Sequence, residues 1–219
     1  MYSDFDSDRQ TILAQINKAR KLLRESVKLW NRKYESFIDY APRLDYIHLQ
    51  ECTLLPDRYE LLKKMTKRGT VCEVGTNKGE FARAILELTS PSELHIVDIS
   101  FENFEYEQLN KQDIEKVSKL HEMDSVQCLS SFPDHYFDWI YIDANHYYEY
   151  VKKDLEVAKA KVKNDGYIVC NDYTSWSVSG VTKCGVAKAV NELCLKDNWK
   201  FIFFALQGNM YYDVALQKI

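Results

Sequence analysis

The chain is predicted to be an α/β protein built on a doubly wound, seven-stranded sheet whose last strand is antiparallel, with a helical extension at its N-terminus. Two observations carry this. From Thr70 onward, short β-rich runs alternate with helical ones, which implies a parallel sheet covered on both faces. At the end of the chain, Lys200–Ala205 and Met210–Ala215 are β-runs joined only by Leu206-Gln207-Gly208-Asn209. Such a link is too short for a crossover helix, so the last strand must run antiparallel to its neighbour.

Taken in order, residues 1–8 are short, polar and acidic, and are expected to form a disordered tail. Ile12, Ile16, Ala19, Leu23, Val27, Trp30, Tyr34 and Phe37 then recur every three or four residues, the stripe of one amphipathic helix ending before Pro42. That stripe either caps the main domain or pairs with a second subunit, so a homo-oligomer through this helix is one expectation. A second helix is expected from Pro56-Asp57 to Gly69. The extension is therefore assigned to 1–69 and the main domain to 70–219. Within the main domain the expected strands are Thr70–Val74, Leu94–Asp98, Lys119–Met123, Phe137–Ile142 and Tyr167–Cys170, with helices near 79–89, 104–118, 147–163 and 185–196.

Composition narrows the function. A length of 219 residues with 46% apolar content suits one domain with a sizeable core plus an appended element. A formal net charge of −4 and the lack of any dense basic run argue against a nucleic-acid partner. Six cysteines without a Cys-x-x-Cys pair, several inside apolar runs, point to buried thiols in a reducing compartment. With no signal-like or membrane-length apolar stretch, a cytoplasmic location and no membrane partner are expected.

The chemistry gathers at strand ends. Glu73-Val74-Gly75-Thr76-Asn77-Lys78-Gly79 lies where the first strand of the main domain turns into its helix, at the edge where open α/β sheets bind ligands. Gly75 permits the sharp turn, and Gly79 permits close approach to the helix start. Asp98 ends the next strand, placed to accept hydrogen bonds from ribose hydroxyls. The third glycine of a dinucleotide fingerprint is missing. Glu73 offers an acceptor for an ammonium group, which an amino-acid-bearing cofactor has and a pyrophosphate lacks.

Together with Asp124-Ser125 and Tyr141-Ile142-Asp143-Ala144-Asn145-His146, these motifs resemble class I S-adenosylmethionine-dependent methyltransferases, with a Rossmann-like domain from about Thr70 to the C-terminus. The resemblance implies that Glu73 helps hold the methionine end of S-adenosyl-L-methionine, Asp98 the ribose and Asp124 the adenine, with Gly75, Thr76, Gly79 and Ser125 nearby. A helix N-cap before Val126 is the competing reading of Asp124.

At the other end of the edge, Asp143, Asn171 and Asp172 bring oxygen ligands from adjacent strand ends, as a hard cation requires, and His146 follows Asp143 by three positions. The bland reading makes Asp143 and Asp172 helix caps. The pattern is similar to metal-dependent sugar O-methyltransferases of the macrocin type, and more loosely to catechol O-methyltransferase. It implies Mg²⁺ or Mn²⁺ on Asp143, Asn171 and Asp172, catalysis through Asp143 and His146, and a glycan or small-molecule acceptor. In the sugar group the tandem pair is usually two acids, whereas here Asn171 stands first. Tyr147, Tyr148, Tyr150, Tyr173, Trp176 and the Ser/Thr/Gly-rich stretch 173–185 are candidate acceptor contacts. The rival readings are a nicotinamide-dependent oxidoreductase and a catalytically silent module that keeps the cofactor fold for assembly.

Overall fold

A computed structural model describes residues 2–108 and 116–219, the side chains of 2–7 and 108 excepted, and divides the chain into two compact units, 1–38 and 39–219. The first unit is essentially one helix, α1 (Tyr2–Lys33). Its backbone is helical from Tyr2, where a disordered tail over 1–8 was expected. The helix also stops well short of Pro42. The Asn31 side chain accepts the Phe37 amide at 2.8 Å, a local alternative to the helical ladder. Trp30 packs on Tyr34 and Phe37, with ring centroids 4.9 and 5.8 Å away.

The second unit begins with β1 (Thr53–Leu55) and α2 (Arg58–Lys64), two elements from the stretch that the sequence grouped with the helical extension. Asp57 caps α2 through the Glu60 amide, and the Lys67 ammonium takes up the Leu62 carbonyl just past its end. The alternating part follows: β2 (Thr70–Val74), α3 (Glu80–Thr89), β3 (Glu93–Asp98), β4 (Ser118–Glu122), α4 (Ser125–Ser130), β5 (Phe137–Ile142), α5 (Tyr148–Lys161) and β6 (Val162–Cys170). A small hairpin of β7 (Trp176–Ser177) and β8 (Thr182–Lys183) precedes α6 (Val186–Asp197), β9 (Trp199–Ala205) and β10 (Asp213–Lys218). The helix expected over 104–118 falls partly on 109–115, outside the described residues.

All seven expected strands lie in one sheet, in the order β1-β9-β10-β6-β5-β2-β3-β4. The addition is β1, which pairs in parallel with β9 through Thr53–Phe203 to Leu55–Ala205. Three residues are too few to show a period of two, which is why the sequence does not announce it. β10 is antiparallel to both β6 and β9, as the short connection required. It starts at Asp213 rather than Met210, because the Tyr212 carbonyl is taken by the Tyr173 amide before the ladder begins. Strand order reverses between β2 and β5, and the carboxyl ends of those strands form a crevice there.

Two buried clusters flank the sheet. On one face Cys72, Val74, Ile140 and Ile142 pack under Val151 and Leu155 of α5 and Val190 and Leu193 of α6. On the other, Val71, Trp139 and Tyr141 pack under Leu61 and Leu62 of α2 and Phe81 and Ile85 of α3. Burial of these large apolar side chains, at about 1.5–3 kcal/mol each, is the main favourable term.

The amino edge is pinned by Asp138 on β5. Its carboxylate accepts the Thr70 amide at 2.7 Å and the Lys163 ammonium at 2.8 Å, tying β2 and β6 to the strand between them. Replacing Asp138 by alanine strands the Thr70 amide and is expected to cost about 1–3 kcal/mol in urea unfolding. Asp138→Asn keeps an acceptor and should lose less; equal losses for the two would show that the amide contact carries none of the effect.

Candidate active site

The β2–α3 turn is fixed by its neighbours before any ligand is considered. Gly75 sits at φ +84°, and a Cβ there would lie 2.2 Å from the Asp143 carbonyl oxygen. Only glycine lets the turn press this closely on the segment leaving β5. Backbone bonds lock the approach, from Gly75 N–H to the Val97 carbonyl at 2.8 Å and from Asp143 N–H to the Val74 carbonyl at 2.7 Å. Asp98 adds a side-chain clamp, one carboxylate oxygen accepting the Thr76 and Asn77 amides at 2.9 and 3.1 Å.

Beside this turn is a cavity of about 440 Å³ lined by Gly75, Asn77, Asp98, Asp124, Ser125, Asp143 and Tyr150, among others. Four of the seven cofactor residues expected from sequence therefore meet there: Gly75, Asp98, Asp124 and Ser125. Asp124 combines both of its readings, since it lines the cavity and also caps α4 through the Gln127 amide at 3.0 Å. Ser125 donates to Asp154 at 2.5 Å, and burial raises the Asp154 carboxyl to about 6.

The other three lie outside the lining. Gly79, at φ +86°, makes room for the Phe104 ring, whose edge would be 2.7 Å from a Cβ, rather than for a ligand. Thr76 is buried, and its hydroxyl has no hydrogen-bond partner among the described residues. Glu73 is fully buried, and neither of its carboxylate oxygens has a hydrogen-bond partner among them. Burial pushes its carboxyl up to about 8; nearby Thr76 and Arg58 oppose this, and Asp143 and Asp98 reinforce it. An acceptor left orphaned behind a polar cavity suits a ligand that brings a cationic donor, as the ammonium of a methionine-type cofactor does.

A second cavity, of about 250 Å³, shares Ala144 and Asn145 with the first and is completed by His146, Tyr147, Ser177, Thr182 and Lys183. The stretch 173–185 thus supplies its far wall, through the β7–β8 hairpin rather than a plain loop. Cys184 N–H bonds the Ser175 carbonyl, and Gly185 N–H bonds the His146 carbonyl at 2.8 Å, fastening the hairpin beside the imidazole. Of the expected aromatic contacts, Tyr147 faces this cavity and Tyr150 the first. Tyr148 and Tyr173 are otherwise engaged, their hydroxyls bonding Glu192 and Asn191, and Trp176 belongs to the hairpin.

His146 Nε2 lies 3.4 Å from an Asp143 oxygen and 3.6 Å from an Asp172 oxygen, which sets the expected base beside two of the three expected ligands. Burial lowers the imidazole's affinity for a proton, but Asp143, Asp172 and Asn171 together raise it above the ordinary value. Burial raises the Asp172 carboxyl to about 6, with His146 pulling the other way. Neither aspartate caps a helix. The N-caps of α5 and α6 are Tyr147 and Gly185, and Asn145 serves the Tyr147 amide. Asn171 is buried and gives its amide nitrogen to the Tyr141 hydroxyl at 3.2 Å and to Asp213 at 3.0 Å. No group of three His, Cys, Asp or Glu side chains among the described residues is arranged to hold a metal ion. The oxygen set here contains only two carboxylates, with the Asn171 amide as the third donor.

Behind these residues lies a buried network that the sequence reading did not include. Tyr141 donates to Asp213 at 2.8 Å, Gln207 donates to the same carboxylate at 2.6 Å, and Arg58 sits 4.5 Å over the Phe81 ring. Burial raises the Asp213 carboxyl to about 7, against Tyr141 and Arg58. Burial disfavours the Arg58 charge, yet Tyr141, Asp213 and Asp143 outweigh it and hold the guanidinium protonated. The one signal in the sequence is an acid, Asp213, opening the otherwise apolar run Val214-Ala215-Leu216.

Residues 72–173 match the sequence model of a methyltransferase domain family. No curated protein matches the chain. Among solved structures, the chain is similar to an O-methyltransferase from Bacillus cereus in complex with SAH (14% identity, 73% of this chain and 78% of that one, TM-score 0.57). It is also similar to a SAM-dependent methyltransferase from Aquifex aeolicus (19%, 75% and 91%, 0.55) and a ribosomal protein L11 methylase from Lactobacillus delbrueckii subsp. bulgaricus (20%, 73% and 76%, 0.54). At these identities the likeness is one of fold. Asp98→Ala, which removes both the turn clamp and a charged acceptor at the cavity wall, should weaken S-adenosylmethionine binding severalfold or more in isothermal titration while the protein stays folded. Unchanged affinity would remove Asp98 from the cofactor site. Residues 72–173, just under half of the chain, thus resemble a methyltransferase domain, and the solved structures share its Rossmann-like fold.

Proposed function

We propose that the chain transfers the methyl group of S-adenosylmethionine to a hydroxyl oxygen of a sugar or other small acceptor, with a divalent cation at the acceptor end. The observation that carries this reading is the shared wall. The cavity beside Gly75 and Asp98 and the one containing His146 meet at Ala144-Asn145. A methyl donor in the first and an acceptor in the second would be neighbours, with a general base facing the acceptor.

The residues divide the work. Asp98, Asp124 and the Gly75 turn hold the nucleoside side of the cofactor, and Glu73 is the acceptor available to its ammonium group. The acceptor oxygen attacks the methyl carbon, the carbon–sulfur bond breaks to leave a neutral thioether, and the hydroxyl proton passes to His146 Nε2. Asp143, Asp172 and the Asn171 amide oxygen would hold Mg²⁺ or Mn²⁺, which when bound lowers the acidity cost of the hydroxyl. The anchored Asn171 nitrogen fits this role, since its two bonds run to Tyr141 and Asp213 on the core side. Tyr147 offers an aromatic face, and Ser177 and Thr182 offer hydroxyls, for a polar ring.

The test couples turnover to binding. With a panel of sugar and catechol acceptors and release of S-adenosylhomocysteine as the readout, excess EDTA should abolish transfer while S-adenosylmethionine still binds, and Mg²⁺ or Mn²⁺ should restore it. Asp143→Ala and Asp172→Ala should reproduce the chelated state. His146→Ala should slow the chemical step by roughly 10²- to 10⁴-fold with cofactor affinity intact. Full turnover in EDTA together with an active His146→Ala variant would overturn the reading.

A further inference from the structure

The wall of the second cavity holds a charge that methyl transfer does not require. Among the described residues lining it, Lys183 is the only Lys, Arg, Asp or Glu, and it stands in the hairpin next to Thr182. Its counter-charge is shared. Asp39 Oδ2 lies 3.0 Å from the Lys183 ammonium, and Asp39 Oδ1 lies 3.7 Å from the Lys188 ammonium. Two ammonium groups therefore have one carboxylate between them, and one positive charge is left over. The Lys183 contact is also a proximity of charges without hydrogen-bond geometry, since Asp39 Oδ2 is buried with no hydrogen-bond partner among the described residues.

The surroundings do not cancel the surplus. The Lys188 ammonium sits 4.0 Å from the Tyr148 ring centroid, a contact that stabilises a cation without neutralising it. Glu192, one turn further along α6, is already bonded to the Tyr148 hydroxyl and to Lys196. The Lys183, Lys188 and Asp39 side chains are only 32%, 29% and 14% exposed, so salt screens their field less than on an open face. In the methyl-transfer reading the two acids beside His146 are balanced by a divalent cation and leave the lysine pair unbalanced. We propose that the acceptor carries an anionic group, a carboxylate or a phosphate, seated against Lys183 while its hydroxyl meets His146. This rests on the methyl-transfer reading and names the class of acceptor. The Thr182 hydroxyl, in the same wall, offers a second donor to that group.

Saturation-transfer NMR on the full chain, with S-adenosylhomocysteine and Mg²⁺ present, tests this with glucuronate, glucose 6-phosphate and glucose as probes. At low salt at least one of the two anions should bind roughly tenfold tighter than glucose, the worth of one hydrogen bond to a charged group. The tighter anion tells carboxylate from phosphate. Lys183→Gln should bring that anion to within about twofold of glucose. Asp39→Asn, which releases both ammonium groups, should tighten it severalfold, whereas a merely structural ion pair would be weakened alike by both changes. S-adenosylhomocysteine affinity, from isothermal titration, should be the same in all three proteins. Glucose binding as tightly as both anions, no binding of either anion, or anion binding that survives Lys183→Gln would each overturn the proposal. Anion binding by a wild type that takes no S-adenosylhomocysteine would instead overturn the methyl-transfer reading on which it rests.

Discussion

The site is built on a contact between two backbones, the Gly75 turn and the segment that leaves β5. At 2.2 Å from the Asp143 carbonyl, even a methyl group has no place at residue 75. Because β2 and β5 are neighbours at the reversal of strand order, this contact joins the end of β2 to the segment that carries Asp143 and His146. Everything functional is measured from it. Asp98 reaches the same turn from β3, Asp143 and His146 continue directly out of it, and Ala144-Asn145 becomes the partition between the two cavities. A looser turn would leave the same side chains present but without a common geometry, and methyl transfer depends on such positioning.

The fold was largely legible because the elements that set it are long or strongly patterned. β2 and β5 begin and end where the apolar runs do, and the antiparallel last strand followed from a connection too short to cross over. What escaped was local. β1 is too short to carry a period, α1 ends at an asparagine side chain acting six residues away, and the helical start at Tyr2 overrode a polar, acidic composition. In the site, position at or just past a strand end singled out Asp98, Asp143, His146 and Asp172, and the family resemblance singled out Asp124; Asp98, Asp124 and Asp143 line the first cavity and His146 the second. Gly79 shows the limit of that logic. Its positive φ was foreseeable, but the side chain it accommodates, Phe104, comes from a distant loop.

The buried network shows a different limit. Tyr141, Asn171, Gln207 and Asp213 come from β5, the end of β6, the β9–β10 link and β10, and nothing in their sequence spacing relates them. Adjacency of β5, β6 and β10 in the sheet brings them together. Its physical effect is to fix the Asn171 amide from behind. A neutral side chain at that position, in place of a second acid, is compatible with an oxygen donor only if the amide is held one way round, and Asp213 with Tyr141 does that.

The central proposal is spatial: methyl donor and acceptor would occupy two cavities that share Ala144 and Asn145 in their walls. A crystal grown with S-adenosylhomocysteine and Mn²⁺ tests it most directly. The account predicts the nucleoside against Asp98 and Asp124, the amino-acid end toward Glu73, and an anomalous manganese peak between Asp143, Asn171 and Asp172 on the His146 side of the partition. A ligand bound away from the Gly75 turn, or manganese bound elsewhere with these three side chains unliganded, would contradict it.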